Sequence, residues 1–168
     1  MFIRVKKIKN KEYCYFVQNK WKKNRGTHQK VKEYLGPLLR MNCKENNFFD
    51  FYKIKDLNIF LKKKDKKALL FDILKWQLSN LGFKKDNDEL KKNDLTFNKK
   101  VMTLKKNNKK IVIRNNEGYL CSQTIKSIIQ FEKTGDIEKD SVALARAFVD
   151  AGLNIPKEVF IAFFEKIE

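Results

Sequence analysis

Cations and aromatic rings are interleaved through the opening of the chain: Arg4, Lys6, Lys7, Lys9, Lys11, Tyr13, Tyr15, Lys20, Trp21, Lys22, Lys23, Arg25, Lys30 and Lys32. Cations take up phosphates because each neutralised phosphate releases condensed counterions, and flat rings stack on unpaired bases. The competing assignment is a solubilising sheet face, with Tyr13, Tyr15 and Trp21 partly in the core. Residues 1–40 hold twelve Lys/Arg against two acids, more than solubility asks of a small surface, so nucleic-acid contact is the expectation. Of the 38 basic residues in the chain only five are arginine. Lysine is a point charge without the planar fork that reads guanine edges, so backbone tracking with low sequence specificity is expected.

A second set, Lys99, Lys100, Lys105, Lys106, Lys109 and Lys110, flanks Asn107-Asn108. It has the form of a hairpin arm that reaches along phosphates or into a groove, or equally of a solvated edge whose lysines deter strand pairing. Other chemistries find little support. Asp86, Asp88 and Glu89 start like a calcium loop, but Lys91 stands where the sixth position demands glycine and Phe97 where the twelfth demands an acid. The Asp88-Glu89-Leu90-Lys91 string contains an acid-x-Lys fragment of the kind nucleases use, without the further carboxylates that metal-assisted hydrolysis needs. Cys14, Cys43 and Cys121 form no CxxC pair, and Cys14 and Cys121 fall where a thiol serves as a small hydrophobe. His28 is the single histidine, which weakens any Ser-His-Asp, Cys-His or HExxH proposal. There is no GxxxxGK[ST] or GxGxxG motif among six glycines. No catalytic residue, metal or cofactor is therefore assigned.

These side chains need elements to hold them. Phe2 to Lys9, a turn at Asn10-Lys11 and the aromatic run Glu12 to Gln18 predict a hairpin, whose second strand runs on through Trp21. After turn residues 22–26, Thr27 to Leu35 alternates again, and Gly36-Pro37 closes a three-stranded antiparallel meander. One face of this sheet must pack on something, while the other remains wet and basic. Residues 41–60 hold Phe48, Phe49, Phe51, Tyr52 and Phe60, rings that predict a connector pinned into the core. Asp65 caps a central amphipathic helix that stops at Gly82. Lys84 to Asp94, too polar to bury, reads as a linker or loop, followed by a second β-hairpin around Asn107-Asn108. Three helices follow: Ser122 to Phe131, a second capped by Asp140 or Ser141, and a third opened by Pro156. The fold class is α+β, divided as a basic β module over 1–40, an aromatic connector over 41–60 and a remainder over 61–168 containing the helix, the Lys-rich hairpin and a C-terminal helical cluster.

The run KEYCYFVQNKWKKNRGTHQKVKEYLG resembles the short β module that opens certain insertion-sequence transposases and several uncharacterised, Lys-rich archaeal proteins. The matching positions are Tyr13, Tyr15, Val17, Gln29, Lys30, Tyr34, Leu35 and Gly36, all within residues 1–36, about a fifth of the chain. His28 stands where the module would carry Arg, so no arginine contact is implied there. The remaining chain is too short for the transposases' catalytic domain, so the resemblance implies DNA contact without transposition and tips the expected partner slightly toward DNA over RNA.

At 168 residues, with 42% hydrophobic, the chain is long enough to bury a core. Its formal net charge is +18, unevenly spread: residues 115–168 hold nine acids against six Lys/Arg. An AT-rich genome exchanges Arg for Lys everywhere, whereas this polarity sets a basic first part against an acidic end. No apolar run reaches the length of a membrane span and the opening residues do not form a signal peptide, so a soluble cytoplasmic protein without membrane contact is expected. The function expected is non-enzymatic nucleic-acid binding through the basic meander. The alternative is an adaptor or assembly protein that binds a protein partner through its C-terminal helices, with a metal-dependent nuclease behind both.

Overall fold

In a computed structural model of the protein, residues 1–22, 26–44 and 46–167 are described, the side chain of Lys22 excepted. The chain has an α+β fold, with two five-stranded sheets and six helices among the described residues. β1 (Phe2–Ile8) turns at Lys9 and Asn10, both at positive φ, into β2 (Lys11–Lys22), which pairs antiparallel with β3 (Gly26–Arg40). Two consecutive left-handed residues match the twist of flanking strands, so the turn lies one residue before the expected Asn10-Lys11. Gly36-Pro37 does not end β3. The strand skips register around Tyr15 and Val17, continues to Arg40 and pairs parallel with β9 (Val112–Asn115), which hairpins into β10 (Gly118–Leu120). The first sheet thus runs β1-β2-β3-β9-β10, so the basic module shares its sheet with strands more than 70 residues away.

Two short helices, α1 (Phe48–Tyr52) and α2 (Leu57–Leu61), carry the aromatic connector. Phe48 is buried and meets Tyr52, Phe60 and Trp76 at ring-centroid distances of 5.1, 6.1 and 5.4 Å. α3 (Lys66–Asn80) starts where Asp65 accepts from the Ala68 amide at 2.7 Å, and ends where Gly82, at φ +89, lets its own amide and that of Phe83 turn back onto Ser79 and Leu78. The expected one-sided helix is instead buried round most of its circumference: Leu69, Leu70, Ile73, Leu74, Trp76, Gln77, Leu78 and Asn80 are all inside. It is the hub of the main core, with packing from both sheets and the C-terminal helices.

The expected loop over Lys84 to Asp94 is two strands, and the expected single hairpin is part of a larger meander. β4 (Lys84–Asp86), β5 (Glu89–Lys92), β6 (Leu95–Asn98), β7 (Thr103–Lys106) and β8 (Lys109–Lys110) pair in sequence order. Leu90, Phe97 and Leu104 lie side by side across three of these strands and are buried. Leu95 is buried beside them on β6, and Lys92 lays its stem across to donate to the Leu81 carbonyl at 2.6 Å.

The acidic end forms α4 (Ser122–Ile129), α5 (Ile137–Asp150) and α6 (Lys157–Glu165). α5 begins earlier than expected: Asp136 caps it by accepting from the Lys139 amide, and Asp140 lies within it. Buried Asp140 accepts from the Thr134 amide at 2.9 Å, the Thr134 hydroxyl at 2.8 Å and the Gly135 amide at 3.1 Å, fixing the loop that leads into the helix. Among the described residues, no helix is long and apolar enough to cross a membrane.

Candidate nucleic-acid interface

Side chains on a strand point alternately to opposite faces, and cross-strand partners share a face. Ile3 opposite Phe16 and Val5 opposite Cys14 lie on the packed side of the first sheet. There Cys14, Leu35, Leu38, Val112 and Cys121 form a second, smaller core. Both thiols are buried, and burial pushes Cys14 up to about 12 and Cys121 upward.

The opposite side carries Arg4 level with Tyr15 and Tyr34, and Lys6 level with Tyr13. The Tyr15 and Tyr34 rings are 5.3 Å apart, Tyr13 stands 6.4 Å from Tyr34, and Lys6 Nζ lies 5.1 Å from the Tyr15 centroid. Arg4 donates to the Gln29 side chain. Burial raises the Tyr34 phenol and its neighbours Tyr15 and Tyr13 raise it further, so this hydroxyl stays neutral and places no negative charge among the cations. Tyr34 is half exposed and completes the ring cluster, although the cationic spacing alone does not single it out.

β2 and β3 extend beyond the end of β1. Residues 18–22 and 26–30 pair only with one another, forming a free two-stranded ribbon. At about 3.3 Å per residue its paired length projects roughly 16 Å. Trp21 is 72% exposed on the face it shares with Tyr13 and Tyr15, while Lys20 and Lys30 point to the other face. Lys23 and Arg25, and the side chain of Lys22, lie outside the described residues. The first cation set is therefore split: Arg4, Lys6, Lys11, Tyr13, Tyr15 and Trp21 share one face, Lys7, Lys20 and Lys30 belong to the other, Lys9 is in the first turn and Lys32 sits at a register skip. Lys7 stands opposite Glu12, whose carboxyl is held below its ordinary range chiefly by the hydrogen bonds from Arg40, at 2.9 and 3.0 Å.

The second cation set does not form a projecting arm. Lys99 and Lys100 lie in the turn between β6 and β7, with Lys99 Nζ 4.2 Å from the Phe71 centroid. Lys106 pairs with Asp94 at 3.3 Å and Lys110 with Glu33 at 3.1 Å. Lys105 stands level with Lys110 on the outer face of this sheet, whereas Lys106 and Lys109 share the face of buried Leu95, Phe97 and Leu104. The arm is β2–β3; the second set is divided between the two faces and a turn of a packed sheet.

The acid-x-Lys fragment is also placed. Lys91 Nζ lies 2.8 Å from Asp86 and 4.0 Å from Glu89, and Asn98 donates to Glu89 at 3.0 Å, so these acids are engaged within the sheet. Among the described residues, no group of three or more His, Cys, Asp or Glu side chains is placed to hold a metal ion. No family model, curated protein or solved structure matches the chain.

Proposed function

We propose that the protein binds nucleic acid without catalysing a reaction on it, holding phosphates with the exposed face and the projecting ribbon of its first sheet. The observation that carries this is the alignment of Arg4, Lys6, Tyr13, Tyr15 and Tyr34 on the solvent side, continued by a free ribbon bearing Trp21, Lys20 and Lys30. A two-stranded ribbon has the width that the major groove admits, and lysines on its two edges would meet the phosphates on either side. Trp21 offers a surface on which an unpaired base stacks. The transposase-like spacing of Tyr13, Tyr15, Tyr34 and Gly36 supports DNA over RNA. Lysine-dominated contacts support low sequence specificity.

The test compares Lys20→Glu/Lys30→Glu with Lys126→Glu/Lys157→Glu, whose lysines are exposed on α4 and α6, using duplex DNA, single-stranded DNA and structured RNA over a range of salt. The ribbon variant is expected to weaken binding across unrelated sequences and to flatten the slope of log K against log salt by about 0.9 for each duplex phosphate it no longer neutralises. Equal weakening in the two variants would make the protein a diffuse polycation and remove the ribbon's role. A second reading, a protein partner at the C-terminal helices, draws on Ile137, Val142, Val149 and Ile161, exposed on α5 and α6. Stoichiometric co-purification of a protein from nuclease-treated lysate, abolished by Val142→Lys/Val149→Lys, is its test.

A further inference from the structure

β3 and β9 are parallel, so the segment leaving β3 and the turn leaving β9 emerge at the same end of the first sheet. The buried end of α3 and the loop after α5 reach the same place. Here six carboxamides, Asn46, Asn47, Gln77, Asn80, Asn116 and Asn154, converge on a cavity of about 330 Å³. Among the described residues no charged side chain lines it. It is at the opposite end of β3 from the ribbon.

Several of these amides are committed to the fold. Asn47 caps α1 by accepting from the Phe49 amide, and Asn116 donates to the Gly152 carbonyl at 2.9 Å. Two are only half used. Gln77 is 2% exposed and donates to Cys43 Sγ at 3.6 Å; its Oε1 has no donor among the described residues. Asn80 is 4% exposed and its Oδ1 accepts from Asn46 at 3.2 Å; its Nδ2 has no acceptor among the described residues. Neither atom is sealed within the protein, and both residues line the cavity. Buried polar groups are ordinarily paired, and two left open one helical turn apart on the best-anchored helix form a preset acceptor and donor. Trp76, beside them, is locked in place by its own hydrogen bond to the Asn46 carbonyl at 2.9 Å.

The described lining residues suit an uncharged occupant, since none of them would neutralise a phosphate or carboxylate, and one that presents a donor next to an acceptor. A nucleobase meets both conditions: each standard base carries a donor beside an acceptor on its pairing edge, and carboxamides are the side chains that match such edges. The volume is at the lower end of small-ligand sites, suited to a base and not to a larger cofactor. We propose that this carboxamide-lined cavity is a nucleobase site, with Gln77 Oε1 as acceptor and Asn80 Nδ2 as donor, filled by an unpaired base of a bound strand or by a free nucleoside. The strand source rests on the nucleic-acid reading above; the free nucleoside does not.

The side-chain amide resonances of Gln77 and Asn80 are followed in ¹⁵N-labelled protein during titration with adenosine, cytidine, guanosine and uridine, and with ribose 5-phosphate. At least one nucleoside is expected to shift both pairs, with little dependence on salt, and ribose 5-phosphate is not. Asn80→Leu should weaken that nucleoside by about tenfold, the scale of one buried hydrogen bond. Because Asn80 also supports the fold, Asn154→Ala on the exposed rim is measured beside it and should weaken the same nucleoside with the spectrum otherwise unchanged. Shifts with no nucleoside, or equal shifts with ribose 5-phosphate, overturn the site. The source is decided with a short single strand and its copy carrying one abasic position: a strand that shifts Gln77 and Asn80 only when the base is present occupies the site through the strand. Nucleoside binding without strand binding keeps the site and removes the phosphate reading. Salt-dependent strand binding with no response to either ligand at Gln77 and Asn80 does the reverse.

Discussion

Gly36 tests whether the two sheets meet as the fold requires. It lies inside β3 at φ +124, where side-chain-bearing residues are strained, and β8 passes against it. A Cβ built there would collide with the Lys110 carbonyl oxygen and stand 2.8 Å from the carbonyl carbon and 3.0 Å from Ile111 Cα. These are backbone atoms, which cannot swing away as a side-chain tip would. For Gly36→Ala the backbone strain costs about 1–3 kcal/mol. Forcing the strands apart adds about 1–3 kcal/mol. The sum is a large share of the roughly 5–15 kcal/mol that a domain has. Gly135→Ala is the control, because Gly135 has φ +98 with nothing within 4 Å of its added Cβ. It carries the strain and the unfolded-state effect of replacing a glycine but not the collision. In urea unfolding, Gly36→Ala should lower stability by about 1–3 kcal/mol more than Gly135→Ala, and Lys110 and Ile111 amides should lose hydrogen-exchange protection in Gly36→Ala alone. Equal destabilisation in the two variants would refute close packing of β3 on β8.

Thiol chemistry gives a second check: exposed Cys43 should react with a thiol reagent at pH 8 in the folded protein, with buried Cys14 and Cys121 reacting only in denaturant. Cys14 also makes stability fall with pH, because its folded-state value of about 12 lies above the ordinary 9.0; its contribution is complete below pH 9 and disappears between there and about 12, which alkaline unfolding of Cys14→Ser against the parent measures. Asp140→Ala should destabilise by about 1–3 kcal/mol by leaving the Thr134 and Gly135 donors without their acceptor, and Asp140→Asn by less; equal stability of Asp140→Ala and the parent in chemical denaturation would remove the loop-fixing role.

The fold was legible where local signals were strong. Asp65 and Gly82 bracket α3, and the aromatic alternation in EYCYFVQ marks a strand, because caps and period-two patterns act within a few residues. The segment 84–94 was obscured by its polarity, yet it carried its own turn markers. Asn87 and Asn93 occupy positive φ at the β4–β5 and β5–β6 turns, just as Asn107 and Asn108 do at β7–β8. In a chain with six glycines, asparagine takes over left-handed positions, and reading it so would have shown the meander. Asp140 misled because an acid before an apolar run looks like a cap; its buried hydrogen bonds to Thr134 and Gly135 are tertiary facts that spacing does not carry.

The site was legible as a set of residue types and illegible as a surface. Alternation alone places Tyr13, Tyr15 and Trp21 on one face, but which cations join them depends on register. The skips around Tyr15 and Val17 decide that Tyr34 lies on the ring side, and the register beyond them sets Gln29, rather than Lys30, on that side. The parallel pairing of β3 with β9 is beyond any local signal, and it has the larger functional consequence. It turns the basic hairpin from an appendage into a strand pair rooted in the same sheet as the β9–β10 turn, so the projecting ribbon and the carboxamide cavity sit at opposite ends of one continuous strand. β3 would span about 50 Å if fully extended at roughly 3.3 Å per residue. A strand held at both places along the tyrosine face would cover that length. That path makes Tyr34, near the middle of the span, the ring whose environment should respond to long single strands and not to short ones confined to either end.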